Sequence, residues 1–128
     1  MCLITVLVAD DDPYIRQCIR HATEIDPDLR VECEAENGLQ ALMLAERHRP
    51  DVVLLDAEMP RMDGMEAARC LRKSRPDVCI IIMSVYEELR STALEAGADA
   101  FILKGCGCSQ LRSLLHQVRN RKGNAHDG

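Results

Sequence analysis

The sequence predicts a doubly wound α/β domain, with one parallel five-stranded sheet and helices on both of its faces. Short aliphatic runs recur along the chain and have the length and β-branched content of buried strands. Each run is followed by a segment with the period of an amphipathic helix. The length of 128 residues suits one domain with one core. We therefore expect residues 1–122 to form the domain, and residues 123–128, which lack periodicity, to be a disordered tail or the start of a linker.

The first half of the chain contains two strand–helix units. The strand Ile4–Ala9 leads into a helix with Asp12 as its N-cap and Pro13 at its first position. The second strand, Arg30–Ala35, alternates apolar with charged residues, which is typical of an edge strand with one solvated face. The helix Leu39–His48 follows it. The apolar positions expected to face inward are Ile15, Cys18, Ile19, Ala22 and Ile25 of the first helix and Val31, Cys33 and Ala35 of the second strand.

The second half contains three more units. Their predicted strands are Val52–Asp56, Val78–Ser84 and Ala100–Lys104, and their predicted helices are Met65–Ser74, Glu88–Ala96 and Ser109–Arg121. The strand that ends at Ser84 is the most apolar and is expected at the centre of the sheet. Gly97 suits the C-terminal end of the fourth helix, and Ser109 suits the N-cap of the fifth. The five units fit the flavodoxin-like strand order 2-1-3-4-5, which we adopt from known folds of this class.

The composition is that of an ordinary globular protein, with 47% hydrophobic and 29% charged residues. The net charge of −5 argues against nucleic acid as the main partner, because neutralisation of phosphates dominates that binding. No signal peptide and no apolar run of membrane-spanning length is evident, so we expect a cytoplasmic protein without a membrane contact. The seven cysteines are expected to be reduced and to act as small apolar residues. Cys106 and Cys108 invite a metal or redox interpretation, but no second pair or nearby histidine supports it.

Carboxylates follow two of the predicted strands. Asp10, Asp11 and Asp12 come directly after the first strand, and Asp56 ends the third. Parallel strands bring these ends to one edge of the sheet, where such folds bind ligands. Carboxylates gathered there raise one another's pKa unless a cation joins them, and an oxygen-rich site suits Mg²⁺, for which Mn²⁺ can substitute. The sequence therefore predicts a magnesium site at this edge.

The same edge is expected to collect Ser84 from the fourth strand and Lys104 from the fifth. An aspartate can accept a phosphoryl group as an aspartyl phosphate. Such a transfer depends mainly on positioning and charge neutralisation, which Mg²⁺, an ammonium group and a hydroxyl group can supply together. These residues favour phosphoryl transfer to an aspartate.

Four segments resemble the receiver domains of two-component response regulators. They are Val6–Pro13, Leu54–Gly64, Ile82–Ser84 and Gly97–Lys104, and the resemblance extends over residues 4–119. It implies that Asp56 accepts phosphate from a sensor histidine kinase or a phosphotransfer protein. It also implies that the chain is no enzyme beyond Mg²⁺-dependent self-phosphorylation and slow autodephosphorylation.

The resemblance also implies roles for the neighbouring residues. Asp11 would bind Mg²⁺ directly, Asp10 largely through water, and the main-chain carbonyl of Glu58 would be a third protein ligand beside Asp56. Ser84 would be the switch hydroxyl, Phe101 the switch aromatic residue, and Lys104 the lysine that contacts the phosphoryl group. Phosphorylation would act on an output domain or partner protein through the fourth helix, fifth strand and fifth helix, and would allow dimerisation.

One position departs from the family's pattern. Gly105 stands where the family often has a proline in a cis bond. A cis bond without proline costs about 3 kcal/mol, so we expect a trans bond here. With a residue other than proline at this position, the chain resembles receivers whose output is a four-helix helix-turn-helix domain.

Other functions fit less well. A phosphatase of the haloacid-dehalogenase type also uses an aspartate nucleophile, but it needs further acids after the lysine, and only Asp127 follows Lys104. A flavin carrier would need a loop that attracts the flavin phosphate, which Asp10, Asp11 and Asp12 would repel. The chain is either the front part of a transcription regulator or a stand-alone receiver in a phosphorelay. Since residues 120–128 are too few for a helix-turn-helix, this chain by itself is not expected to bind DNA specifically.

Overall fold

The computed structural model describes the backbone of residues 3–127 and the side chains of residues 3–121. Its strands are β1 (Ile4–Ala9), β2 (Leu29–Ala35), β3 (Val52–Asp56), β4 (Cys79–Ser84) and β5 (Ala100–Leu103). Its helices are α1 (Pro13–Glu24), α2 (Gly38–His48), α3 (Gly64–Ser74), α4 (Arg90–Glu95) and α5 (Cys108–Asp127). All strand pairs are parallel and follow the order β2-β1-β3-β4-β5, which confirms the predicted fold class.

The sheet separates two apolar layers. One layer lies under α2, α3 and α4 and includes Leu55, Ile80 and Phe101. The other lies under α1 and α5 and includes Leu54 and Leu115. Every residue of β3 and β4 is buried, because helices cover both faces of these central strands. The ends of these strands are therefore held on a rigid support.

Helix ends place the loops around the carboxyl edge of the sheet. Asp12 caps α1 as predicted, with its side chain accepting a hydrogen bond from the Tyr14 N–H at 2.9 Å, and Pro13 is the first residue of the helix. Asp63 caps α3 in the same way through the Glu66 N–H at 2.9 Å. These caps determine where the loop after β1 and the loop after β3 end.

The second strand corrects one prediction. It lies at an edge as expected, but it does not have a single inward face. The register between β1 and β2 shifts at Val6/Leu7, and the bulge sends Val31 and Cys33 to opposite apolar layers. A bulge inserts an extra residue, so strict alternation fails beyond it.

Some helix predictions were also wrong in detail. Cys18 and Ile25 are exposed, because Cys18 lies on the solvent side of α1 and Ile25 lies just after this helix, which ends at Glu24. The predicted fourth helix begins as the 3₁₀ turn Glu87–Leu89 and continues as α4, and Gly97 follows it with φ +108°. Ser109 lies inside α5, which begins at Cys108 and so is not capped by that serine.

The fifth helix is longer than predicted. It runs to Asp127, well past Arg121, because no proline interrupts this segment and a single glycine costs a helix only about 1 kcal/mol. It therefore covers most of the residues predicted to be a tail or linker, and Gly128 lies outside the described residues. The functional boundary of the domain stays a prediction.

The cysteines that the structure describes form no disulfide with one another. Cys79 is buried as expected, but Cys18 and Cys108 are exposed and so are not core residues. Cys106 is half-buried, and burial raises the pKa of its thiol, with the Cys108 thiol acting in the same direction. Cys2 lies outside the described residues. In the part of the chain that the structure describes, no helix has both the length and the apolar character of a membrane span.

Candidate functional site

Four parallel strands deliver polar side chains to one edge of the sheet. Asp10 follows β1, Asp56 and Ser84 are the last residues of β3 and β4, and Lys104 follows β5. Main-chain hydrogen bonds continue past the strand ends, since the Asp10 N–H donates to the Ala35 carbonyl at 3.0 Å and the Lys104 N–H to the Ser84 carbonyl at 2.8 Å. The structure therefore brings together the residues that the sequence predicted.

Lys104 joins the two buried carboxylates. Its Nζ lies 2.9 Å from Oδ2 of Asp56 and 2.9 Å from Oδ2 of Asp10. Asp10 is 0% exposed and Asp56 is 4% exposed. The ammonium group donates a hydrogen bond to Asp56 and forms an ion pair with Asp10, whose Oδ2 is the one buried side-chain oxygen among the described residues with no assigned hydrogen bond. A buried carboxylate oxygen that lacks a donor is a ready ligand for a cation.

Burial raises the pKa of the Asp56 carboxyl to about 6. The hydrogen bond from Lys104 opposes this rise, the charge of Asp10 adds to it, and the Glu58 N–H, 3.2 Å from Oδ1, opposes it. Burial disfavours the charged form of Lys104, but the adjacent carboxylates outweigh burial and raise the pKa of the ammonium group. Lys104 therefore stays a cation, and Asp56 is an ionised nucleophile only above about pH 6.

The acidic residues fit a divalent cation. One carboxylate oxygen from each of Asp10, Asp11 and Asp56 can be chosen so that all three lie within 4.8 Å of one another. Asp11 is exposed, whereas the other two are buried, so the cluster opens to solvent on one side. An all-oxygen donor set with room for water suits Mg²⁺. The part of the Glu58 carbonyl as a ligand stays a prediction, although the Glu58 N–H bond to Asp56 places this residue beside the cluster.

The two predicted switch residues lie on the neighbouring strands β4 and β5. Ser84 is 2% exposed, and its Oγ accepts a hydrogen bond from the Tyr86 N–H at 3.0 Å, which turns the chain after β4. Phe101 is 5% exposed, and the Arg90 guanidinium lies 4.9 Å from the centre of its ring. The ring is therefore buried in the apolar layer under α2, α3 and α4.

Sequence reasoning missed two residues beside the site. Arg16 donates a hydrogen bond from Nη1 to the main-chain carbonyl of Asp10 at 2.6 Å. Gly64 lies so close to β3 that a Cβ at this position would be 2.2 Å from the Asp56 carbonyl oxygen. The Asp63-Gly64 pair was part of the resemblance without a role of its own. The role of Arg16 had one possible signal in the sequence. Arg16 and Arg20 are spaced by one helical turn, so both can face Glu34.

The site combines acids at the ends of two parallel strands, a hydroxyl group at the end of a third and a lysine after a fourth. This combination defines a class of phosphoryl-accepting α/β domains. Comparison with known proteins identifies the family, since residues 6–116 match the model of the response regulator receiver domain. The chain belongs to this family and is a receiver domain of the two-component response regulator type.

Individual relatives support the assignment. The nitrate/nitrite response regulator protein NarL of Escherichia coli strain K12 is 40% identical over 116 residues, which cover 89% of this chain and 54% of that protein. The response regulator GacA of Pseudomonas aeruginosa is 36% identical over 118 residues, which cover 91% of this chain and 55% of that protein. The chain thus spans about half the length of these curated relatives.

Solved structures agree with the sequence relatives. The signal receiver domain of a response regulator NarL from Mycobacterium tuberculosis superposes with a TM-score of 0.86 at 30% identity, covering 93% of this chain and 98% of that one. Similarity also extends to a protein-glutamate methylesterase/protein-glutamine glutaminase of Pyrococcus abyssi, but over only 28% of that protein. This partial match carries no esterase activity to the present chain.

Proposed function

We propose that this receiver domain accepts a phosphoryl group on Asp56, with Mg²⁺ held by the carboxylates of Asp10, Asp11 and Asp56 and by the Glu58 carbonyl. The observation that carries the proposal is the cluster of three carboxylates within 4.8 Å of one another, two of which are buried and lie 2.9 Å from the Lys104 Nζ. Such a cluster is costly unless a cation binds to it. Its position at the carboxyl edge of a parallel sheet is where such folds bind ligands.

The chemistry assigned to the protein is simple. An ionised oxygen of Asp56 forms a bond to phosphorus, and the bond from phosphorus to the donor breaks, with its electron pair leaving on the donor. Lys104 balances negative charge on the transferred group, and the Ser84 hydroxyl donates a hydrogen bond to one of its oxygens. Mg²⁺, when bound, would neutralise further phosphoryl charge. Burial of Asp10 and Asp56 strengthens all of these interactions, because little water competes with them.

The proposed phosphoryl donor is a sensor histidine kinase or a phosphotransfer protein. The proposed output surface is formed by α4, β5 and α5, on which Leu94 and Leu103 are exposed. A domain or partner protein, or a second phosphorylated copy, would bind there. NarL and GacA are about twice as long as the region of similarity, and a relative from Brevibacillus brevis, 32% identical over 103 residues, is the transcriptional regulatory protein DegU. These matches favour an output in transcription over a stand-alone receiver.

Mass spectrometry after treatment with acetyl phosphate and Mg²⁺ tests the proposal. We expect one phosphoryl group per chain, located on the peptide that contains Asp56, and none in the Asp56→Asn variant. Asp63→Asn is a matched control, because asparagine caps a helix as well as aspartate does and the residue lies in the same loop. Labelling of Asp56→Asn at another residue, or no labelling of the unaltered chain, would contradict the proposal.

A further inference from the structure

Arg16 links three elements next to the metal cluster. It lies in α1, and its Nη1 donates to the main-chain carbonyl of Asp10 at 2.6 Å. Its Nε donates to Oε1 of Glu34 on β2 at 3.1 Å. The Arg16 side chain is 13% exposed, so water competes little with these contacts. Glu34 also pairs with Arg20, which holds the Glu34 carboxylate from a second side.

The carbonyl that Arg16 holds belongs to the peptide group between Asp10 and Asp11. The orientation of this peptide group determines where the exposed Asp11 side chain begins. The other side of the turn is fixed separately, because the Asp12 N–H donates to Asp10 Oδ1 at 2.9 Å. The main chain around both acids is therefore held at two points, one of which is a guanidinium group from outside the cluster.

We infer that Arg16 is a positioning residue of the metal site, which holds the Asp10–Asp11 peptide so that both carboxylates can bind one Mg²⁺ ion. This inference deepens the proposed function and rests on it. Residues that orient metal ligands typically change metal affinity by about 10- to 100-fold when they are replaced. The planar fork of arginine suits the task, since one group can contact the carbonyl and Glu34 at once.

Charge and position predict opposite results, which makes the inference testable. Arg16 is a cation near the three carboxylates. If only its charge were removed, the site would attract Mg²⁺ more strongly. Removal of its hydrogen bond to Asp10 would disorder the turn and weaken Mg²⁺ binding. A lower Mg²⁺ affinity after substitution therefore indicates that Arg16 positions the turn. A higher affinity indicates that Arg16 acts only through its charge.

The experiment is calorimetric titration of the chain with MgCl₂. We expect Arg16→Met to bind Mg²⁺ about tenfold more weakly than the unaltered chain. Arg20→Met is the matched control, because it removes a cation that pairs with the same Glu34 but leaves the Arg16 hydrogen bond to Asp10 in place. Its affinity for Mg²⁺ should be unchanged or slightly higher. Arg16→Lys retains one donor and the charge, so it should recover part of the loss. Amide NMR signals of Asp11 and Asp12 should shift in Arg16→Met and stay in place in Arg20→Met.

Phosphorylation gives a second measurement. Labelling of Arg16→Met by acetyl phosphate should be slow at low Mg²⁺ and recover at saturating Mg²⁺, whereas a general folding defect would not recover. Equal or tighter Mg²⁺ binding by Arg16→Met would overturn the inference and leave the proposed function intact. An unaltered chain that neither binds Mg²⁺ nor accepts phosphate would overturn the proposed function itself. If Arg16→Met does not fold, Arg16→Lys and Glu34→Gln decide, since both should weaken Mg²⁺ binding and an unchanged affinity in both counts against the inference.

Discussion

The Lys104 ammonium nitrogen lies 2.9 Å from Oδ2 of Asp56, and the N–H of Lys104 donates to the carbonyl of Ser84 at 2.8 Å. One residue thus joins the ends of β3 and β4 by its side chain and main chain together. Its single positive charge cannot neutralise both Asp10 and Asp56, so the buried cluster keeps a net negative charge. This imbalance is the basis of the predictions for pH and metal.

Folding stability should depend on the ionisation of Asp56. The pKa of this carboxyl is about 6 in the folded protein, above the ordinary 3.8. Its protonated form therefore stabilises the fold fully below about pH 3.8, and this contribution is lost as the pH rises through 6. In metal-free buffer, Asp56→Asn should raise the free energy of unfolding by about 1–3 kcal/mol at pH 7.5, and by clearly less near pH 4.5. Urea denaturation at the two pH values measures the difference, and an equal gain at both would contradict it.

Metal affinity should depend on Asp11 and not on the next residue. Asp11→Asn replaces a charged carboxylate ligand at an exposed position with a neutral amide, so Mg²⁺ binding should weaken on the order of tenfold or more while thermal stability changes little. Asp12→Asn keeps the helix cap and should leave the affinity nearly unchanged. Calorimetry at pH 7.5 compares the variants. Affinity should also fall below about pH 6, because protons compete with the metal for Asp56.

The Ser84 hydroxyl is expected to couple the site to the output surface. Beryllofluoride with Mg²⁺ should shift amide NMR signals along Ser84–Glu95 and Phe101–Leu111. Ser84→Ala should still accept a phosphoryl group but lose most of the distant shifts, and Ser84→Thr, which keeps the hydroxyl group, should retain them. Loss of the acceptor for the Tyr86 N–H should cost only about 1 kcal/mol of stability. A full set of shifts in Ser84→Ala would show that the coupling follows another route.

The loop after Lys104 offers a test of backbone geometry. Gly105 has φ +89°, and a Cβ there would have no heavy atom within 4 Å. Gly105→Ala should therefore lower the free energy of unfolding by about 1 kcal/mol through backbone strain alone. Gly107→Ala is the control, since its Cβ also meets no atom and no positive φ constrains it. Equal denaturation midpoints for the two variants would show that the loop relaxes without cost.

Much of the fold follows from local patterns. The strands β1, β3 and β4 are continuous apolar runs that are buried on both faces. The pattern and length of these runs therefore predicted the strands with the correct C-terminal ends. The edge strand β2 was predicted less well, because a bulge depends on pairing with β1 rather than on its own residues. The exposure of Ile25 was missed for another reason, because the apolar pattern of the first helix was continued one residue past its end at Glu24.

The site was predictable because its residues are the last residues of strands or follow them directly. Asp10, Asp56, Ser84 and Lys104 were placed together by the rule that parallel strands end at one edge. Arg16 and Gly64 act through contacts with main-chain carbonyl groups of Asp10 and Asp56, and such contacts leave no periodic signal. The inward position of Phe101 depends on its packing in the core and on Arg90, which local sequence does not indicate.

The register of the central strands also limits which changes in length the protein can accept. Asp56 pairs with Met83, and Ser84 pairs with Leu103. The positions of these two site residues are therefore set by the pairing of neighbouring strands. Deletion of one residue within β4 would turn the following side chains to the opposite face and remove the Ser84 hydroxyl from the site, although the composition of the strand would hardly change. An added residue in the exposed segment 85–88 alters no pairing. The sheet should therefore tolerate an insertion after Ser84, whereas an insertion before it should abolish function.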